Sequence, residues 1–254
     1  MKKILLATTC LALTATASMA ADLGAAYTKA PMAPQTFSWT GCYAGAHVGG
    51  GGLTTNGASN VDGFGPDVGN QNANGSGAVA GGQLGCNYQD GNWVFGLEGE
   101  GYWSGIKSNQ SVTSLVDSGT VVDSLTIKNT SDFTIAARAG MAFDRTLVYG
   151  KFGWAWGNYN LSGAHQFTDG FTESAFAKGT LDGFMVGAGI EHALTRNWTI
   201  KAEYDYIGFG SKSLANNFCS TGNACVLDGG TTTSISSNKQ LFKVGFNYLF
   251  GPGH

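Results

Sequence analysis

Apolar residues alternate with small or polar residues along most of the chain between Trp39 and Phe250. The alternation is clearest in eight segments of about ten residues, with large apolar side chains on one face and glycine or polar side chains on the other. A period of two places successive side chains on opposite faces of a β-strand. The pattern therefore predicts eight strands of a sheet with two unlike faces.

The lengths of the predicted connections also alternate. Short links at 90–92, 144–146 and 195–197 follow the second, fourth and sixth strands, whereas long polar links at roughly 51–76, 105–131, 158–181 and 208–238 follow the others. Tight turns at one end and long loops at the other are typical of outer-membrane barrels, whose short turns face the periplasm. We therefore predict an all-β fold: an eight-stranded antiparallel up-and-down transmembrane barrel over residues 37–250, with short periplasmic turns and four long extracellular loops.

The chemistry of the two faces indicates what lies on each side of the barrel wall. The apolar face carries almost no charge, and the ionisable residues share the other face with glycines. These residues are Glu98, Glu100, Arg138, Lys151, Glu191, Lys201, Glu203, Asp205 and Lys243. Periodicity alone fits a soluble ligand-binding barrel with an apolar interior equally well. Aromatic residues near the strand ends and small inward residues favour the membrane.

The charges on the inward face are nearly balanced, with five acids and four permanent bases. Because an unpaired ion in a low-dielectric interior costs several kcal/mol, we expect these residues to form an ion-pair network that fills the lumen. A gated path for ions or small solutes stays open as the alternative. A wide aqueous channel usually needs about 16 strands or more.

Composition narrows the classes of protein further. The chain has 254 residues with 40 glycines and only 12% charged residues, which disfavours helical bundles and disorder. A formal charge of −3 argues against binding to nucleic acid. Lys2 and Lys3, an apolar run and a small-residue site ending at Ala20 predict a signal peptide over 1–20. A periplasmic N-terminal segment would follow at 21–36, and a C-terminal extension would occupy 251–254.

Four cysteines would remain after removal of the signal peptide, and they allow three pairings. Cys219 and Cys225 lie close together in the fourth long loop, and we predict a local disulfide between them. Cys42 and Cys86 face outward near the periplasmic ends of neighbouring strands. A second disulfide is predicted there, provided that the two residues lie directly opposite each other.

No residue set in the sequence indicates an enzyme. None of the four histidines has a serine and a carboxylate at a clear strand spacing, and neither cysteine pair has a histidine nearby. We therefore expect no catalytic site, no metal site and no cofactor.

The last predicted strand carries a polar residue, a glycine and two aromatic residues at fixed spacing, namely Lys243, Gly245, Tyr248 and Phe250. This spacing resembles the signal that the barrel-assembly machinery reads on the closing strand of its substrates. The chain departs from that signal in continuing for four residues beyond Phe250.

Four motifs resemble the alphaproteobacterial outer-membrane β-barrel family of OmpA-like proteins: WTGCY at 39–43, WVFGLEG at 93–99, ARAGMAFDRTLVYG at 137–150 and GAGIE at 187–191. The resemblance implies a monomeric protein of the outer membrane, in contact with the lipid bilayer and lipopolysaccharide. Relatives in this group can be attached to peptidoglycan through an N-terminal Ala-Asp, which implies the same role for Ala21.

The function that follows is a structural one, namely support of the cell envelope by a plugged barrel. The resemblance leaves open a small-solute porin and a protein that binds hemin or a host surface through its extracellular loops. His165, Phe167, Phe171 and Phe176 of the third loop would be the residues involved in such binding.

Overall fold

The computed structural model describes residues 37–60, 71–116, 119–166, 172–220 and 226–250. These residues form nine β-strands: β1 (Gly41–Asn60), β2 (Gln71–Asp90), β3 (Trp93–Ser104), β4 (Lys107–Val116), β5 (Gly119–Phe143), β6 (Thr146–Gln166), β7 (Thr172–Ala193), β8 (Trp198–Ser220) and β9 (Val226–Phe250). In these ranges no helix is long and apolar enough to cross a membrane.

The strands form one antiparallel sheet that closes into a barrel, because β1 pairs with β2 on one side and with β9 on the other. Strands β3 and β4 succeed each other in a single position between β2 and β5, separated by Gly105 and Ile106. The nine strands therefore fill eight positions around the barrel, and the predicted up-and-down topology is confirmed.

Tight turns connect the strands at one end of the barrel, as predicted. Two residues separate β2 from β3 and β5 from β6, and residues 194–197 separate β7 from β8. Gly91 and Asp144 in the first two turns have φ angles of 58° and 53°. Such left-handed conformations let a short hairpin follow the twist of its strands.

At the other end of the barrel, the predicted bounds of the long loops are wrong. Strand β1 continues to Asn60 and β2 begins at Gln71, so much of the first expected loop is paired strand. The other three long connections are shortened in the same way. The sequence prediction ended each strand where its apolar side chains end. Backbone pairing continues past that point because it does not require an apolar face.

The outer surface carries a wide apolar band. Along β9, Phe242, Val244, Phe246, Tyr248 and Phe250 all point outward and are 39–58% exposed. A soluble barrel would not leave so many large apolar side chains in water, because contiguous apolar patches of this size mark an interaction surface. The apolar face is therefore the outer one, which resolves the alternative that periodicity left open in favour of a lipid-facing barrel.

Candidate functional site

The nine charged residues predicted to face inward all lie inside the barrel, and none is more than 4% exposed. They come from six strands, β3 and β5 to β9, and they meet across the lumen. We call them the lumen cluster. Alternation along each strand places them there, since the outward positions between them carry apolar or small residues.

The centre of the lumen cluster is a group of three carboxylates that share two ammonium groups. Lys151 Nζ lies 2.7 Å from Glu98 Oε1, 3.3 Å from Glu100 Oε1 and 2.9 Å from Glu203 Oε1. Lys201 Nζ lies between 3.1 and 3.5 Å from oxygens of the same three residues. Each ammonium group can use its donors on different carboxylates, so removal of one lysine affects all three acids at once.

Lys243 extends the lumen cluster toward the extracellular side. Its Nζ lies 2.5 Å from Glu100 Oε2, 3.0 Å from Glu203 Oε1 and 2.7 Å from Asp205 Oδ2. Through Lys243, Asp205 is connected to the carboxylates at the centre of the cluster.

Arg138 extends the lumen cluster toward the periplasmic side. Its guanidinium group lies 2.7 Å from Glu191 Oε2 and 3.3 Å from Glu98 Oε2, and it stacks over the Tyr149 ring at 4.0 Å from the ring centre. The Tyr43 hydroxyl accepts a hydrogen bond from Arg138 Nη1 and donates one to Glu98 at 2.6 Å. The Tyr43 hydroxyl thus bridges Arg138 and Glu98, whereas Arg138 Nε has no hydrogen-bond partner among the described residues.

Clusters of buried apolar side chains lie on both sides of the lumen cluster. On the periplasmic side, Phe37 and Trp39 pack edge to face at 4.9 Å and belong to a buried cluster with Leu147 and Leu249. The extracellular layer is a second buried cluster that includes Leu53, Ile106, Leu161, Leu181, Met185, Ile207 and Leu241. The lumen cluster therefore lies between two clusters of buried apolar side chains.

Sequence reasoning missed a second buried ion pair nearer the extracellular end. Lys239 Nζ lies 2.6 Å from Asp132 Oδ2 and 2.7 Å from Asn129 Oδ1, and all three side chains are buried. The prediction had assigned the region near Lys239 to a loop or its edge. Continuing the alternation backward from Lys243 by two inward positions would have identified Lys239.

Three carboxylates of the lumen cluster come close enough together to suggest a metal site. One oxygen from each of Glu98, Glu100 and Glu203 lies within 4.8 Å of the others. The ammonium groups of Lys151 and Lys201 already contact these same carboxylates. The chain thus supplies the positive charge that a cation would otherwise bring.

The predicted cysteine pairs have different outcomes. Cys42 and Cys86 are direct partners in the β1–β2 ladder and form a disulfide, as predicted. The predicted bridge between Cys219 and Cys225 lies outside the described residues, because Cys225 and the side chain of Cys219 are not described.

The residues of the predicted insertion signal divide between the two faces of β9. Lys243 joins the lumen cluster, and Gly245 faces inward beside the backbone of Ala46. Tyr248 and Phe250 point outward and are 39% and 56% exposed.

Several other predicted positions lie outside the described residues. They include Ala21 with the rest of 1–36, the extension at 251–254, and the loop residues Phe167 and Phe171. His165 lies in β6, but its side chain is not described, whereas Phe176 in β7 is 45% exposed.

Comparisons with known proteins agree with this architecture. Residues 7–250 match the family described as outer membrane protein beta-barrel domain. The chain is 32% identical to the 31 kDa outer-membrane immunogenic protein of Brucella melitensis, over 98% of this chain and 100% of that protein. It is 28% identical to the 25 kDa outer-membrane immunogenic protein of the same species, over 86% of this chain and 82% of that protein.

Among solved structures, the outer membrane protease OmpT of Escherichia coli aligns with a TM-score of 0.51 and 10% identity, over 85% of this chain and 98% of that one. At this level of identity the similarity shows a shared barrel fold alone.

Proposed function

Because this chain belongs to the family of outer-membrane β-barrel proteins, we propose that it is a non-enzymatic structural protein of the outer membrane with a closed lumen. The observation that carries the proposal is the lumen cluster, whose nine charged side chains are buried and paired across the barrel. A continuous water path would have to separate these pairs. Breaking a buried pair by removing one partner typically costs about 3–5 kcal/mol, so opening would be strongly unfavourable.

Planar-bilayer recording tests the closed lumen directly. We expect no stable large conductance steps from the wild-type protein. The double variant Lys151→Ala and Glu203→Ala removes one charge of each sign together with the side-chain volume, and we expect it to gain conductance. The matched control, Lys151→Met and Glu203→Gln, removes the same charges but keeps the volume, and it should stay closed.

Two results of the recordings would contradict the proposal. Stable large steps from the wild-type protein would favour the small-solute porin. A silent alanine double variant would mean that the apolar layers, and not the lumen cluster, close the barrel.

The insertion signal supports recognition by the barrel-assembly machinery, and it can be tested separately. Phe250 and Phe242 both face outward on β9 and are 56% and 58% exposed, but only Phe250 belongs to the signal. We expect Phe250→Ala to reduce assembly in cells while leaving refolding into detergent unchanged. Phe242→Ala is the matched control, and an equal loss of assembly in both variants would remove the special role of Phe250.

Attachment to peptidoglycan through Ala21 stays a prediction, as do the signal peptide over 1–20 and the periplasmic segment over 21–36. Support for attachment comes from the Ala-Asp pair that would begin the mature chain. Mass spectrometry of digested sacculi should identify an N-terminal peptide that starts at Ala21 and carries a peptidoglycan fragment. A free amine on Ala21 in all of the sacculus-associated protein would exclude attachment.

Binding of hemin or a host surface through the third loop also stays a prediction. His165 stands opposite Glu173 in the β6–β7 ladder, close to the extracellular ends of both strands. Titration with hemin, compared between the wild-type protein and His165→Ala, tests this alternative by the shift of the Soret band. No shift in the wild-type protein would exclude hemin as the ligand.

A further inference from the structure

A row of polar and basic side chains crosses four neighbouring strands on the outer surface, on the extracellular side of the apolar band. Lys107 of β4 pairs with Lys128 of β5, Lys128 pairs with Asn160 of β6, and Asn160 pairs with Lys178 of β7. Directly paired residues of antiparallel strands point to the same face of the sheet. The four residues therefore form one continuous row, which we call the lysine row, and all four are exposed or half-exposed.

A second polar row lies between this lysine row and the lipid. Asn158 Nδ2 donates to Ser131 Oγ at 3.0 Å, and Thr180 Oγ1 donates to Asn158 Oδ1 at 2.8 Å. Lys212 Nζ donates to the Thr180 carbonyl oxygen at 2.7 Å, which brings a fourth lysine to the same region. The hydrogen bonds hold the surface beneath the lysine row in one arrangement.

The height of the lysine row corresponds to the headgroup region of the outer leaflet. Phe133 and Trp156 form the edge of the apolar band here, with ring centres 5.9 Å apart, and aromatic rings of this kind mark a membrane interface. Asn160 lies two outward positions beyond Trp156, or about 13 Å along the strand. With a strand tilt of about 40°, the row stands about 10 Å above the aromatic edge.

The lysine row lacks matching negative charge in the part of the chain that the structure describes. Lys107 and Lys128 face each other directly, and like charges in that arrangement are destabilising. No ion pair between described residues involves Lys107, Lys128 or Lys178. The one described acidic residue on the outward face of β7 is Asp182, which lies below the lysine row. An external anion would relieve the repulsion.

Among the described residues at this height, the basic side chains lie on one side of the barrel. On the opposite side, Asn238 lies two outward positions beyond Phe242, the same step that separates Asn160 from Trp156. Asn238 pairs with Thr54, and Thr54 pairs with Asn74, so the corresponding row there is uncharged. A general preference for lysine at this height does not explain such asymmetry.

We propose that Lys107, Lys128 and Lys178 form a binding surface for the phosphate groups of lipopolysaccharide in the outer leaflet. The lysines stand at headgroup height and carry the complementary charge, while the aromatic edge below them contacts the acyl chains. The proposal rests on the outer-membrane location of the chain and is independent of whether the lumen is closed.

The test uses the purified full-length protein in detergent micelles and labelled lipid A with or without its phosphate groups. We expect the wild-type protein to bind the phosphorylated lipid at least about tenfold more tightly, since each lysine near an anionic surface contributes measurably. Replacing Lys107, Lys128 and Lys178 together by Gln should remove that preference. The same three positions replaced by Arg should keep it.

Further controls make each outcome decisive. Arg145→Gln removes an exposed cation at the periplasmic turn and should leave binding unchanged. Heat-modifiable gel mobility reports whether a variant is folded, and Lys128→Gln alone serves if the triple variant does not fold. Equal binding of both lipids to the wild-type protein, or an unchanged preference in the Gln variant, overturns the proposal. Displacement of the lipid by inorganic phosphate at the same concentration as the lipid also overturns it, because it indicates a simple anion site.

Discussion

Replacement of Lys151 by methionine tests whether the lumen cluster is a dry and fully paired network. Lys151 Nζ lies within 3.3 Å of Glu98, Glu100 and Glu203, and its side chain is 0% exposed. Methionine preserves most of the side-chain volume, so the change removes a charge with little cavity. The lumen cluster would then contain five carboxylates and three cations, where the wild-type protein has five carboxylates and four cations. Removing one partner of a buried pair typically costs about 3–5 kcal/mol, or roughly 10²- to 10⁴-fold in the folding equilibrium.

Urea unfolding of the protein in lipid vesicles gives this free energy of unfolding. Tryptophan fluorescence and heat-modifiable gel mobility report the folded fraction by two independent signals. The matched control is the double variant Lys151→Met and Glu98→Gln, which also removes the carboxylate at the shortest of the Lys151 contacts, 2.7 Å. We expect the double variant to be less destabilised than the sum of the two single variants, since residues in one network couple.

A small effect of Lys151→Met would contradict a dry, fully paired lumen cluster. If Lys151→Met unfolds within about 1 kcal/mol of the wild-type protein, the pair behaves like a solvent-screened surface salt bridge. Additive effects of the two substitutions would lead to the same conclusion. In either case water would have to reach the lumen cluster, and the proposal of a closed lumen would lose its support.

Two further predictions concern the packing of the barrel wall. Gly153→Ala should destabilise the barrel by about 1–3 kcal/mol or prevent closure, because a Cβ there would overlap the carbonyl oxygen of Ile135. Gly150→Ala on the same strand should be tolerated, since the nearest atom would lie 3.8 Å away, and gel mobility compares the two. Replacing Cys42 and Cys86 together by alanine removes their disulfide, which joins residues 44 apart in sequence, and should lower the urea midpoint by an amount corresponding to about 2–4 kcal/mol. An unchanged midpoint would mean that the β1–β2 pairing is held by other contacts.

The fold could be predicted from the sequence because the barrel wall separates two unlike environments. On β9, Phe242, Val244 and Phe246 face lipid while Lys243 and Gly245 face the lumen, so environment and sequence share the same period of two. Beyond the lipid, both faces of a strand can be polar, and the period disappears although the pairing continues. The alternation therefore could not predict where the strands end on the extracellular side.

The members of the lumen cluster could be predicted from strand parity alone, but their partners could not. Parity places Glu98 and Arg138 inside, yet the contact between them depends on which strands are neighbours and on their register. The apolar layer formed by Phe37 and Trp39 was missed for another reason. These residues precede β1, and no periodicity links them to the lumen in which they are buried.

The charges of this chain follow opposite rules on the two sides of the barrel wall. Inside, every lysine and arginine of the lumen cluster contacts a carboxylate, as burial without water requires. Outside, Lys107 and Lys128 face each other, an arrangement that only a solvated or anion-rich surface tolerates. A lumen filled in the first way is the basis of the proposed closed barrel. Under that proposal, the contacts through which the protein acts lie on its outer surface and at its extracellular end.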